Sequence, residues 1–263
     1  MDSAARLLLY VGALLAGGEA CAQWVHGASW STRSVTALRG RAVSAWLLVL
    51  VALTLLFVLQ FLALELAPTA ADVAMLVRQT TWGRDWAILA GTGALGVIAA
   101  ITRAPLGVRA VLATALAIAM GGLGHAAADE STPVLARALD AVHVIAIAVW
   151  LGTLACLGRG VSAEGWRRFS RVAGVAAPLT ILTGVATAWR RVGDQSVTHI
   201  LAGDYGRLLA VKLSLVAVIV LLGAKHRRQV QQQASAGAGS VRVELAFALA
   251  TLVVTAVLTG TEY

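Results

Sequence analysis

The sequence predicts an all-α polytopic membrane protein, a bundle of about eight transmembrane helices with both termini on the outer side. Three observations lead there. The 263 residues are 59% hydrophobic and only 13% charged, with a mean hydropathy of +0.82. A soluble domain of this size carries about a quarter charged residues, so the polar groups here are too few to cover a water-facing surface. The polar groups are also segregated, with long apolar runs separated by short charged ones, and the cations favour alternate connections.

The apolar runs cover residues 7–25, 44–67, 86–102, 108–124, 139–158, 169–189, 208–224 and 243–259. Each is close to the ~20 residues that cross a ~30 Å hydrocarbon core at 1.5 Å per residue. Strands are disfavoured, because the runs are continuous and much longer than the ~10 alternating residues of a barrel strand. The first run reads as a mature helix and not as a leader: Arg6 is offset by Asp2, and Glu19 interrupts the apolar stretch. With no internal repeat and no long polar segment, residues 1–263 read as one transmembrane domain. The stretch 229–240, rich in Gln, Ala and Gly, reads as a flexible loop.

Orientation follows from the basic residues. Connections after the first, third, fifth and seventh runs hold 13 of the 21 cations against two acids, Glu164 and Glu244. The remaining connections and the termini hold seven cations and nine acids. The positive-inside rule puts the first set in the cytoplasm and both termini outside. The net charge of +8 is then topology and attraction to the membrane surface, so nucleic acid is not an expected partner and the lipid bilayer is. Trp24, Trp46, Trp82, Trp86, Trp166 and Trp189 are expected at helix ends, in the interfacial belts. Pro178 is expected to kink the sixth helix.

Two groups of metal-ligating side chains follow from this topology. On the outer side lie His125, His143 and His199, with Met120 before the first and Asp129 after it. Asp140 precedes His143 by three residues, so the two share a helix face and the carboxylate is suited to ligate beside the imidazole or to orient it. Imidazole with carboxylate suits Cu(II), and imidazole with thioether suits Cu(I). The competing role for each histidine is a polar group at the interface, and for Met120, ~140° around an ideal helix from His125, core packing. On the inner side Cys21, His26, Cys156 and His226 make a soft set for Cu(I), although thiols on unrelated faces as plain packing residues are the favoured alternative. Glu19, Glu65 and Lys212 are charges within the spans. Glu65 and Lys212 suit snorkelling or mutual pairing. Glu19, the deepest, suits a cation pathway or a helix–helix hydrogen bond.

Several short elements resemble the copper resistance protein D family in the same order along residues 120–260. They are the His125 segment, the H-x6-W-x-G element of His143, Trp150 and Gly152, Phe169-Ser-Arg171, Thr183-Gly184, Tyr205-Gly-Arg207 with Lys212, and Glu244. Thr153 departs from the family pattern, which has a second glycine there. The resemblance implies a multi-pass protein of the bacterial inner membrane that handles copper ions, Cu(I) or Cu(II), received from a periplasmic copper-binding (CopC-like) partner. It matches His125, His143, Trp150, Tyr205, Arg207 and Lys212 to family positions, with Trp150 as an aromatic floor two turns beneath His143. The expected function is transport or binding without an enzymatic reaction. The rival is a haem b electron-transfer protein or cupric reductase that uses His125 and His143 as axial ligands. No phosphate-binding G-x4-G-K-[ST] segment and no G-x-S-x-G elbow is present, so ATP-driven transport and hydrolysis are not expected.

Overall fold

The computed structural model describes residues 2–26, 32–67, 69–123, 133–157, 161–192, 203–231 and 238–259. In chain order the helices are α1 (Asp2–His26), α2 (Thr32–Ala63), α3 (Ala70–Gln79), α4 (Thr81–Ile101), α5 (Leu106–Met120) and α6 (Pro133–Ile147). A π-helical turn (Ala148–Gly152) and the short α7 (Thr153–Cys156) continue α6. They are followed by α8 (Ala163–Val192), α9 (Asp204–Gln231) and α10 (Ala238–Leu258). No strand occurs among the described residues.

Among the described residues, seven spans are long and apolar enough to cross a membrane: Asp2–Val25, Leu38–Ala63, Thr81–Ile101, Pro133–Cys156, Ala163–Arg190, Asp204–Arg228 and Val241–Leu258. The eighth expected span is α5, which has only 15 residues and so covers ~22 Å, against ~30 Å of hydrocarbon. It still counts as a crossing. Arg6 Nη1 donates to the Thr259 carbonyl at 2.8 Å, so both termini lie at one end of the bundle. That requires an even number of passes, and seven long spans leave α5 as the eighth.

Several connections expected as loops are helix extensions. The 32 residues of α2 reach ~48 Å, more than the ~30 Å of hydrocarbon, so the helix continues into the stretch expected as a connection. Likewise α9 runs to Gln231 and α10 starts at Ala238, so both flanks of the expected 229–240 loop are helical. Local hydrogen bonding outlasts hydrophobicity here, and hydropathy alone does not reveal it. The unforeseen α3 is a short amphipathic helix whose Thr69 side chain caps Asp72. Its single buried residue, Leu76, sets its backbone carbonyl against Gly83 of α4.

The central element is α1, whose small residues Ala5, Ala16, Gly18 and Ala22 allow neighbours to approach closely. One apolar cluster joins α1 to α2, α4 and α5 around Trp46, Leu53, Leu89 and Leu116. The other joins the far end of α1 to the π turn, α7, α8, α9 and α10 around Trp150, Leu154, Phe169 and Ile219. Trp46 is therefore not an interfacial anchor. It is 1% exposed, with its indole seated on Gly96 of α4. Trp24 and Trp189 are exposed at helix ends as expected, while Trp86 donates from Nε1 to the Leu53 carbonyl at 2.8 Å. Pro178 is accommodated inside a continuous α8.

At the tightest crossing, Gly18 of α1 meets Gly152 backbone to backbone. A Cβ at residue 18 would overlap the Gly152 carbonyl group and the Thr153 nitrogen, neither of which can rotate away. The π turn is centred on the same contact, with the Thr153 N–H directed to the Ala148 and Trp150 carbonyls. Gly18→Ala is expected to force the helices apart and cost about 1–3 kcal/mol. Thermal unfolding in detergent, with Gly91→Ala as the open-space control, checks this.

Candidate metal centre

His143 lies on α6 facing α8, ten residues into the Pro133–Cys156 span and so ~15 Å from its start. Its Nδ1 is 3.0 Å from Thr183 Oγ1. The same hydroxyl reaches the Leu179 carbonyl at 2.7 Å and the Thr180 carbonyl at 3.1 Å. The tautomer decides what the ring can ligate with: when the Thr183 proton goes to the closer Leu179 carbonyl, Nδ1–H donates to Thr183 Oγ1 and the Nε2 lone pair is the ligating position. Gly184 provides room for the ring, since a Cβ there would stand 3.2 Å from His143 Cε1.

One turn before His143, Asp140 Oδ1 accepts from Thr187 Oγ1 at 3.4 Å. Thr180, Thr183 and Thr187 follow a three-and-four spacing, so α8 presents a stripe of hydroxyls toward α6. Sequence reading overlooked this stripe, although its spacing was visible. Lys212 of α9 lies within electrostatic range of His143, and Asp140 supplies an opposing charge on the same helix. Tyr205 is buried in the first turn of α9.

Other expected residues are placed elsewhere. Met120 is buried in the first apolar cluster with Leu89 and Leu116, a packing position. Trp150 lies within the π turn and packs in the second cluster with Phe169 and Ile219. Arg207 forms an exposed pair with Asp204 at 3.4 Å. His125, Asp129 and His199 lie outside the described residues.

The inner set is not brought together. Cys156 directs its thiol to the Leu15 carbonyl at 3.7 Å, whereas Cys21 lines a groove with Gly17 and Trp24. Both thiols lie beside the Gly18–Gly152 crossing, and Cys21 is within electrostatic range of Cys156. His226 Nδ1 pairs with Glu244 Oε2 at 2.8 Å, joining α9 to α10. His26 is the last residue of α1. Among the described residues, no group of three or more His, Cys, Asp and Glu gathers as a metal site.

Glu19 is also partnered. Arg109, expected in a connection, sits in the first turn of α5 and is buried. Its Nη1 donates to Glu19 Oε1 at 2.6 Å, and its Nη2 to Gln23 Oε1 at 2.6 Å. Gln23 Nε2 donates to Glu19 Oε1 at 2.6 Å. A carboxylate held this way fastens α1 to α5. Glu65 ends α2 in a left-handed turn with φ 53° and is exposed.

Comparison with known families matches residues 163–258 to one described as Copper resistance protein D (CopD). Curated proteins and solved structures give no match. The matched segment spans α8 to α10 and contains Thr183, Gly184, Tyr205, Lys212 and Glu244. It begins after His143 and Trp150.

Proposed function

We propose that this chain, whose residues 163–258 belong to the copper resistance protein D family, moves copper across the inner membrane from an outer site built on His143. The family and the apolar helices make it a multi-pass inner-membrane protein concerned with copper. The finer reading is ours. The positive-inside rule turns the terminal end of the bundle outward, so the connections bearing His125 and His199 face the periplasm, and His143, about halfway along the Pro133–Cys156 span, would be reached from that side. There a small copper-binding (CopC-like) partner would deliver the ion. The role is transport or binding, without an enzymatic reaction.

The observation that carries this reading is the contact of His143 Nδ1 with Thr183 Oγ1. A ring held through Nδ1–H by Thr183, with a carboxylate one turn away, is the arrangement by which proteins fix a histidine for ligation through Nε2. His125 supplies the second imidazole. Imidazole and carboxylate bind Cu(II), and imidazole alone is adequate for Cu(I). The inner Cys21, His26, Cys156 and His226 set is not needed for loading.

Haem b in the same place is less well supported. A groove of about 430 Å³ is lined from α1, α5, α6 and the π turn by residues such as Cys21, Trp24 and Ala110, with no histidine. His143 instead packs directly on Thr183 and Gly184. Metal content and the absorbance spectrum of the purified protein test both readings together. Wild type is expected to hold copper without a Soret band, and the His125→Ala/His143→Ala double variant to lose it. A Soret band that disappears in the double variant would replace copper loading with electron transfer.

A further inference from the structure

The 430 Å³ groove between α1, α5 and α6 is not used by the copper site. Its floor lies where Gly17 of α1 meets the π turn, so closely that a Cβ on Gly17 would stand 2.9 Å from the Ala148 Cβ. The groove follows α1 from Ala13 to Trp24 and α5 from Leu106 to Ala117. Each stretch is ~16 Å of helix, about half of the ~30 Å hydrocarbon core. Ala13 is near the middle of α1 and Trp24 is in its last turn, while Leu106 opens α5. The bond from Arg109 to Gln23 puts the start of α5 and the end of α1 at one level, which the positive-inside rule makes the cytoplasmic one. The groove is therefore as long as one leaflet and lies in the inner leaflet. Gly107, Ala110 and Thr114 on its α5 wall are exposed, so it opens on the bilayer. The Thr114 hydroxyl is satisfied within α5, where it donates to the Ala110 carbonyl at 2.9 Å.

A cation marks the cytoplasmic mouth. Arg103 follows α4 three residues before Leu106, exposed and with φ 60°. The Ala104 N–H bonds to the Ala99 carbonyl at 2.9 Å, a Schellman stop whose left-handed position usually falls to glycine. An arginine there carries backbone strain that glycine would not, and it places a positive charge in the connection that faces the headgroups.

We propose that this groove holds one acyl chain of an anionic phospholipid of the inner leaflet, with the phosphate at Arg103. Length decides the occupant. A partner's transmembrane helix, or a helix of a second copy, would need a face through the whole ~30 Å core, and this groove stops at the middle. An acyl chain reaches that far and no further. Charge decides the headgroup, since anionic lipids of the cytoplasmic leaflet attract Lys and Arg close to the surface. Trp24, 56% exposed, stands at the same level as an interfacial anchor. The bound chain packs against the crossing of α1 with the π turn, filling the space that Gly17, Gly107 and Ala110 leave. The site is independent of the copper reading.

The test uses the full chain in detergent, with phosphatidylglycerol and phosphatidylcholine of the same acyl chains as probes. Native mass spectrometry counts the lipid retained, and a melting curve of each sample reports folding. Wild type is expected to hold one phosphatidylglycerol about fivefold more tightly than phosphatidylcholine, the difference one cation near the surface makes. Arg103→Gln is expected to bind the two equally. In Gly107→Leu the new side chain enters the groove at a point where a Cβ meets nothing within 4 Å, so the protein is expected to fold and to lose the tightly held lipid. Alkylation of Cys21, on the groove wall, is expected to slow with phosphatidylglycerol in wild type and not in Gly107→Leu. Equal retention by wild type and a folded Gly107→Leu overturns the groove as the site. Equal binding of the two lipids by wild type overturns the anionic headgroup. A lipid-free dimer that Gly107→Leu abolishes also overturns the proposal, and gives the groove to a second copy.

Discussion

Arg109→Ala is expected to destabilise the protein by about 3–5 kcal/mol, because it strands the carboxylate of Glu19 in the interior with its counter-charge gone. Glu19 is 1% exposed, and its Oε1 receives both the Arg109 and the Gln23 bonds. Water cannot replace the guanidinium there, so the deletion costs far more than an exposed pair would. Arg109→Lys should recover little, since one ammonium cannot reach Glu19 and Gln23 as the two Nη groups do. Glu19→Gln should cost less than Arg109→Ala, and the double variant Glu19→Gln/Arg109→Ala should be more stable than Arg109→Ala alone. Thermal unfolding of the four proteins gives the coupling directly. Equal stability of Arg109→Ala and wild type would show that the pair does not hold α1 to α5. The same pairing changes how Glu19 is read: a carboxylate already bonded to arginine and glutamine is a fastener between helices and a poor candidate for passing cations.

The sequence made the spans legible because a bilayer imposes one requirement on every crossing residue, and hydropathy reports that requirement directly. What it hid depends on pairs far apart in the chain. Arg109 resembles any inner-face cation until Glu19, 90 residues earlier, is brought beside it. Trp46 resembles a belt residue until Gly96 is found to lack the side chain that would otherwise displace it. The short α3 escaped because an amphipathic helix of ten residues lies below the length that a hydropathy scan detects. The resemblance identified Thr183 and Gly184 only as family letters. Their contacts with His143 give those letters a physical role: a hydroxyl that bonds the ring and a missing Cβ that admits it. For the inner Cys/His set, side and depth are legible from topology, but the distances between the side chains depend on how the helices cross.

His143→Ala is expected to abolish copper binding at the outer site, and Thr183→Val to weaken it by about 10–100-fold without unfolding the protein. The two variants separate ligation from orientation. Alanine removes Nε2 itself. Valine keeps the shape of threonine but removes the oxygen that accepts from Nδ1–H, so the ring loses both its fixed tautomer and its anchor. Valine also frees the Leu179 and Thr180 carbonyls from the Thr183 hydroxyl, but these remain acceptors within α8, so the loss to the fold is small. Equilibrium competition for copper, read beside a melting curve, distinguishes the outcomes. If His143→Ala loses copper while Thr183→Val binds like wild type, the ring is oriented by packing against Gly184 and not by its hydrogen bond. If both bind like wild type, His143 is not a ligand, and the copper function must be carried by residues other than this pair. A graded result, with complete loss in one and partial loss in the other, is what a ligand and its hydrogen-bonding support produce. Asp140 then becomes the next residue to change, because Thr187 holds it in the same way from the same face of α8.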